Sequence, residues 1–397
     1  MSLVLRLLCG TLFLFCTSPA WAEQDVIRIG VLTDLSGGMA EAAGSGSVEA
    51  AEMATEDAAH FTTRPVTVIS ADYQSRKDLA EHISEDWLKR QNIDLVVDVP
   101  NPAIAARLQE LFRDQGKILL SSTPRRPENA LCGGNSIFWL YDRETLTTNL
   151  IRGLLAEHKQ RWFILGGDTP YSMTVTSAVK DLLQKNGGEI AGEAYLGQRM
   201  SGLAAIVNQL KDAKADIAFL AFERPDILFL LHHWPQPVDK NTPPLAFGTL
   251  HLSDVDDLKD QPLPPFYVAT SFYWNQNPAS RAFADRFAQR NHGVMPSAIH
   301  ASVYSAVYHY LQSVSALGGK NTDLVLAHMK AHPLDDGFFL GSPIRKDGIV
   351  LHRVHLLLSK SLEERQGPFD FFQLVRTLNL PELATPTEIP CPAAGTP

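Results

Sequence analysis

Val26-Ile27-Arg28-Ile29-Gly30-Val31-Leu32 is an apolar, largely β-branched run, the composition of a strand buried in a sheet. The segment directly after it decides the fold. Val48, Ala51, Ala54, Ala58 and Phe61 recur every three or four residues, while Glu49, Glu52, Glu56 and Asp57 take the opposite face, as on a helix laid against a sheet. Val66 to Ser70 reads as a second strand, Leu95 to Val99 as a third and Ile118 to Ser121 as a fourth. This alternation predicts a parallel sheet wound with helices.

A second series begins after Asn149, with strands expected at Trp162 to Leu165, Ile217 to Phe222, Leu245 to Leu250 and Phe266 to Ser271. The expected class is therefore α/β, with two Rossmann-like lobes. Pro296 and Ser297 open a long helix whose stripe runs through Ile299, Val303, Ala306, Tyr310, Val314 and Leu317 until Gly318-Gly319 stops it. Gly348 to Ser359 reads as a late strand, and the Pro- and Thr-rich tail from Pro381 as irregular. No Gly- or Ser-rich linker separates the two series, so several short crossovers are expected rather than one tether.

The N-terminus carries an apolar run from Leu3 to Cys16, too short to span a bilayer, followed by Ser18, Pro19 and Ala20-Trp21-Ala22. It reads as a signal peptide cut after Ala22, even though Arg6 is its one basic residue. Phe15 before Cys16 is not the small residue of a lipoprotein signal, so a free protein is expected in the periplasm. No other stretch approaches the roughly 18 apolar residues of a membrane helix. The remaining chain, about 375 residues, suggests two domains.

A net charge of −9 with no basic run argues against a nucleic-acid partner, whose phosphates need clustered Lys and Arg. Arg125-Arg126, between Pro124 and Pro127, reads as a surface turn. Of the four cysteines, Cys132 and Cys391 lie beyond the signal peptide. In an oxidising compartment such a pair is expected to bond, with two free buried thiols as the alternative. The bridge would close a loop of roughly 260 residues, adding at most about 5 kcal/mol.

Catalytic and cofactor signatures are missing. Gly44-Ser45-Gly46 is an incomplete dinucleotide fingerprint set well past its strand, and neither a phosphate-binding loop with Gly-Lys-Ser/Thr nor a serine-nucleophile elbow occurs. His328 and His332 are four apart, but no Glu follows the first as in a zinc protease. His352 and His355 on one strand would face opposite sides, and the adjacent His232 and His233 cannot both address one ion from a regular helix. The expectation is no enzyme, no cofactor and no metal.

Gly30-Val31-Leu32-Thr33-Asp34-Leu35-Ser36-Gly37, then Gly44-Ser45-Gly46-Ser47-Val48-Glu49-Ala50-Ala51, resembles the opening of type I periplasmic solute-binding proteins of the branched-chain amino-acid class of ABC importers. The likeness continues through Asp98-Val99-Pro100-Asn101, Trp139 to Asp142, Phe272-Tyr273-Trp274-Asn275 with Arg281-Ala282-Phe283, Tyr304 to Leu311, and Arg345-Lys346-Asp347-Gly348. Cys391-Pro392 looks like the usual ending, and Cys132 falls where a partner cysteine is common. The resemblance implies two α/β lobes joined by three crossovers and closing over a ligand in the cleft. The expected division is 1–22 as signal peptide, 23–140 with 277–335 as the N-terminal lobe, 141–276 with 336–378 as the C-terminal lobe, and 379–397 as tail. It also implies a small-molecule solute, permease subunits in the inner membrane as partners, and a monomer. A periplasmic sensor serving a membrane receptor is the alternative.

In such sheets the ligand lies beyond the carboxyl ends of the strands, at helix N-termini with unpaired N–H groups. On the first lobe this selects Ser36, Gly37 and Met39, then Asn101, Pro102 and Ala103, then Ser121, Ser122 and Thr123 as carboxylate-binding candidates, with helix capping or turn formation as the competing role of the serines. On the second lobe it selects Tyr171, Glu223, Arg224 and His251, against plain surface positions. Tyr273 and Trp274 are expected on the cleft wall, whereas Phe272 is equally suited to hinge packing. Against the family pattern, Met39 stands where an aromatic is frequent, Pro102 replaces a usual serine and Asn275 a common aspartate. These departures favour a small hydrophobic or aromatic carboxylate, with branched-chain amino acids second.

Overall fold

The computed structural model describes residues 26–386, apart from 125–133, 198–201, 240, 249, 251 and 257. The expected signal peptide, Cys132, Cys391 and His251 lie outside the described residues.

The first lobe is built from β1 (Ile27–Thr33), α1 (Gly44–Ala58), β2 (Val66–Asp72), α2 (Lys77–Asp86), β3 (Leu95–Asp98), α3 (Pro102–Asp114), β4 (Ile118–Ser121) and β5 (Ser136–Phe138). These five strands form a parallel sheet in the order β2-β1-β3-β4-β5. The second lobe continues with α4 (Arg143–Ala156), β6 (Arg161–Gly167), α5 (Pro170–Lys185), β7 (Glu189–Leu196), α6 (Leu203–Asp212), β8 (Ile217–Leu220), α7 (Arg224–His232), β9 (Leu245–Ala246), α8 (Leu252–Asp256) and β10 (Phe266–Thr270). The chain then returns through α9 (Pro278–Arg290), α10 (Ala298–Leu317) and α11 (Thr322–Ala331), and ends with β11 (Val354–Ser359) and β12 (Phe372–Leu378). The second sheet runs β12-β11-β10-β9-β8-β6-β7, its last two strands in sequence being antiparallel.

Each sheet is buried on both faces, which is why its central strands read as unbroken apolar runs. In the first lobe α1, α9, α10 and α11 cover one face around Ile29, Val97, Phe287 and Tyr310, and α2 and α3 cover the other around Trp87, Val96 and Phe112. In the second, α6 and α7 pack on one side around Phe247 and Phe266, and α4 and α5 on the other around Trp162 and Leu154. Helix α10 forms where expected: Ser297 accepts hydrogen bonds from the amides of Ile299 and His300, and Gly318, at φ +62°, ends the helix in the left-handed region.

Three short segments cross between the lobes, at residues 139–142, 271–277 and 351–353. Phe272 belongs to the first core and Tyr273 to the second, so one peptide bond separates the two. Leu334, Phe338, Phe339, Ile344 and Val350 still pack in the first core, which puts the last crossing later than the boundary expected at residue 336. The beginning of the tail is held by Leu383 in the second core and by reciprocal hydrogen bonds between Ala384 and the Asn149 amide.

Candidate functional site

The strand order reverses between β1 and β3 in the first lobe and between β6 and β8 in the second. Crevices for ligands lie outside the carboxyl ends of strands at such points.

At the first of these points, Asp34 is fully buried, and its carboxylate accepts from the Met39 amide and from the amide and hydroxyl of Ser75. Gly37 closes over this carboxylate: a Cβ there would lie 2.3 and 2.5 Å from its oxygens, so the position requires glycine. The Ser36 hydroxyl donates to Asp72. Asn101 caps α3, accepting from the amides of Ala103 and Ile104, and Pro102 occupies the first helical position, where no N–H is needed.

Ser121, Ser122 and Thr123 are buried. The Ser121 and Thr123 hydroxyls bond to each other, and the Ser122 hydroxyl donates to Asp98. Asp98 and Val99 adopt φ of +83° and +53°, a strained region for residues with side chains, and most of all for a β-branched one. Burial pushes the Asp98 carboxyl up to about 6. The hydroxyls of Thr33 and Ser47 stand close enough to oppose that shift, yet Asp98 Oδ2 completes no hydrogen bond among the described residues.

At the second point lies a cavity of about 390 Å³. Three helix N-termini surround it: Arg143 is the first residue of α4, Tyr171 the second of α5 and Arg224 the first of α7. Ser172 sets the entry of α5, its hydroxyl accepting from the Gly167 amide and donating to the Ala221 carbonyl, which ties the helix to the ends of β6 and β8. The wall behind is apolar, from Val175, Val179, Leu182, Phe219 and Phe222.

Arg143 lies over the Tyr171 ring, 5.2 Å from its centre, and donates to the Tyr171 hydroxyl. Arg224 instead grips the buried Asp254 with two nitrogens, at 2.8 and 2.5 Å. Glu144 also lines the cavity, whereas Glu223 is exposed at the cap position of α7 and is not part of the lining. Gly248, after β9, gives Arg143 its seat: a Cβ there would meet the Arg143 stem at 2.9 Å and Thr147 Oγ1 at 2.6 Å.

Tyr273 sits in the second core with its hydroxyl bonded to the backbone of Phe372, and Trp274 packs against both cores while its indole donates to the Phe369 carbonyl. Their polar atoms are thus engaged by the 369–372 backbone. A further cavity of about 350 Å³ lies between the lobes, with Ser45, His292 and His300 on one side and Asp256 and Phe369 on the other.

Of the expected residues, the structure brings Tyr171 and Arg224 together at one cavity. Those of the first lobe lie at or just beyond the carboxyl ends of β1, β3 and β4 and are not part of that cavity's lining. Sequence reasoning missed Arg143, Gly248 and Phe222. A signal existed for the first: Asp142-Arg143 puts a cation in the opening turn of a helix, against the dipole. Among the described residues no group of three His, Cys, Asp or Glu side chains is arranged to hold a metal ion, and no helix is long and apolar enough to cross a membrane.

One parallel and one mainly parallel sheet, three crossovers and a cavity at a strand-order reversal define a type I periplasmic-binding-protein fold. The model of the periplasmic binding protein family matches residues 26–359, and the chain belongs to that family. Among solved structures it is similar to a branched-chain amino acid ABC transporter periplasmic ligand-binding protein from Burkholderia xenovorans LB400, with 28% identity and a TM-score of 0.77 over 89% of this chain and 95% of that one. A periplasmic binding protein from Burkholderia mallei, also 28% identical, aligns over the same shares at a TM-score of 0.68. A solute-binding protein of an ABC transporter from Rhodopseudomonas palustris BisB5, in complex with 3,4-dihydroxybenzoic acid, shares the fold at 14% identity and a TM-score of 0.66, over 91% of this chain and 99% of that one. No curated protein matches the chain by sequence.

Proposed function

We propose that this protein is the extracytoplasmic solute-binding component of an ABC importer, exported by its signal peptide and acting in the periplasm as a monomer. It captures a small hydrophobic or aromatic carboxylate between its lobes and hands it, chemically unchanged, to the permease. The observation that carries this reading is the apolar-walled cavity at the second sheet's reversal point, with two guanidinium groups and three helix N-termini at its rim. The Arg143 guanidinium and the helix N-termini at the mouth, with hydrocarbon behind them, suit a molecule with one anionic end and an apolar body. The two relatives at 28% identity, one a branched-chain amino acid transporter's ligand-binding protein, support the binding role.

A branched-chain amino acid is the second reading, favoured by Glu144, which stands beside Arg143 at the cavity and offers a carboxylate to an ammonium group. Contacts to both lobes exist only in the closed form, so a ligand that makes them shifts the population toward closure and raises the melting temperature. Mass spectrometry of solute released on denaturing the purified protein, followed by thermal-shift titration with that solute, tests the proposal. An aromatic or aliphatic acid is the expected result. A sugar, a polyamine or a flat response to every acid and amino acid would overturn it.

A further inference from the structure

The two arginines at the cavity are not equivalent. Arg224 is neutralised by Asp254, which is only 2% exposed, through a two-nitrogen grip that holds the guanidinium on that carboxylate. Arg143 has no carboxylate partner among the described residues. Its guanidinium is held by the face and hydroxyl of Tyr171, its stem rests against Gly248, and among the described residues only one of its five N–H donors has an acceptor. Its position also runs against local stability, because Arg143 is the first residue of α4 and a cation there opposes the helix dipole. A residue kept in an unfavourable place, given a fitted seat and left with an unused charge, is suited to an anion that comes and goes.

We infer that Arg143 reads the carboxylate of the solute, and that Arg224 acts as a positioning residue that fixes the rim through Asp254. This rests on the solute-binding reading above and adds the residue that separates acids from their neutral counterparts. Tyr171 serves as the platform: by holding the guanidinium over its ring it removes rotamer freedom that would otherwise be lost on binding. Gly248 is a second determinant, since any side chain there displaces the Arg143 stem.

The test uses the full mature chain, freed of retained solute by denaturation and refolding, with calorimetric titration of benzoate, phenylacetate and leucine and of the matching amides. Wild type is expected to prefer acids over amides. Arg143→Gln should weaken the acids by about 10- to 100-fold, the usual range for a charge-assisted hydrogen bond, and leave amide affinity in place. Its melting temperature without ligand should be unchanged or slightly higher, as relief of the helix dipole requires. Gly248→Ala keeps the charge but moves its seat, and is expected to weaken acids in the same direction by a smaller factor. If wild type binds an acid and Arg143→Gln binds it equally well, the assignment to Arg143 is overturned while the solute-binding proposal stands. If wild type binds none of the acids, both are overturned.

Discussion

The Tyr141 hydroxyl spans the His352 peptide, donating to its carbonyl at 2.8 Å and accepting from its amide at 2.7 Å. Tyr141 lies on the first crossing between the lobes and His352 on the third, so a single oxygen atom clamps two of the three connections. The His352 ring adds to the clamp. Its Nε2 faces the Trp139 carbonyl at 2.7 Å, which must accept, so the proton sits on that nitrogen, and Nδ1 faces the Ser342 hydroxyl.

Replacing Tyr141 with Phe leaves a buried amide and a buried carbonyl without their partner. The expected loss is about 2–4 kcal/mol of folding stability, checked by urea denaturation. Because the clamp joins the lobes, solute affinity should fall as well. A Tyr141→Phe protein of unchanged stability would show that water replaces the hydroxyl.

His300, His352 and His355 are buried and held neutral, with burial lowering them from the ordinary 6.5 to about 4, 3 and 4. Below pH 6.5 the unfolded chain takes up these protons while the folded chain does not. Stability is therefore complete above pH 6.5 and falls as the pH drops toward 4, by on the order of 2–3 kcal/mol per histidine. Melting temperatures between pH 7.5 and 4 should decline accordingly, and His355→Gln should make the decline shallower by about one proton's slope.

Asp98 works in the opposite sense. Burial raises it to about 6, so between roughly pH 4 and 6 the folded state keeps a proton that the unfolded state has released. Its contribution is greatest at low pH and is lost as the pH rises through 6. Asp98→Asn, which keeps an acceptor for Ser122, is expected to gain on the order of 2 kcal/mol at pH 7.5 and nothing at pH 4. Equal stability changes at both pH values would contradict this.

Gly37→Ala drives a methyl group into the Asp34 carboxylate and the Ser75 hydroxyl, the latter 2.6 Å from the new carbon. The loop can accept it only by giving up the bonds that Asp34 makes to Met39 and Ser75. A loss of about 2–3 kcal/mol is expected in thermal or chemical unfolding, while Gly38→Ala, whose Cβ meets nothing within 4 Å, should be close to neutral.

The fold was legible where one physical signal dominated. Central strands such as β1 and β8 are buried on both faces and read as apolar runs, and α10 carried both its cap and its stop. The edge strands β7 and β12 were missed because much of each faces water and dilutes the pattern, and β5 because its three residues carry no periodicity. The late strand starts at Val354 rather than Gly348, since Ile349 bridges Phe138 of the first lobe before the chain joins the second sheet. For the candidate site, helix starts were readable, and Tyr171, Arg224 and Asn101 stand at the N-termini of α5, α7 and α3. What each side chain does there was not, because Asp254 and Gly248 reach the same place from distant parts of the chain.

The adjacency of Phe272 and Tyr273 sets the terms on which the molecule can open and shut. Each ring is anchored in a different body, so there is no slack between them and the halves cannot drift apart. Any swing must be taken up as torsion within a few residues, and an insertion at this joint would loosen the whole machine without touching a solute.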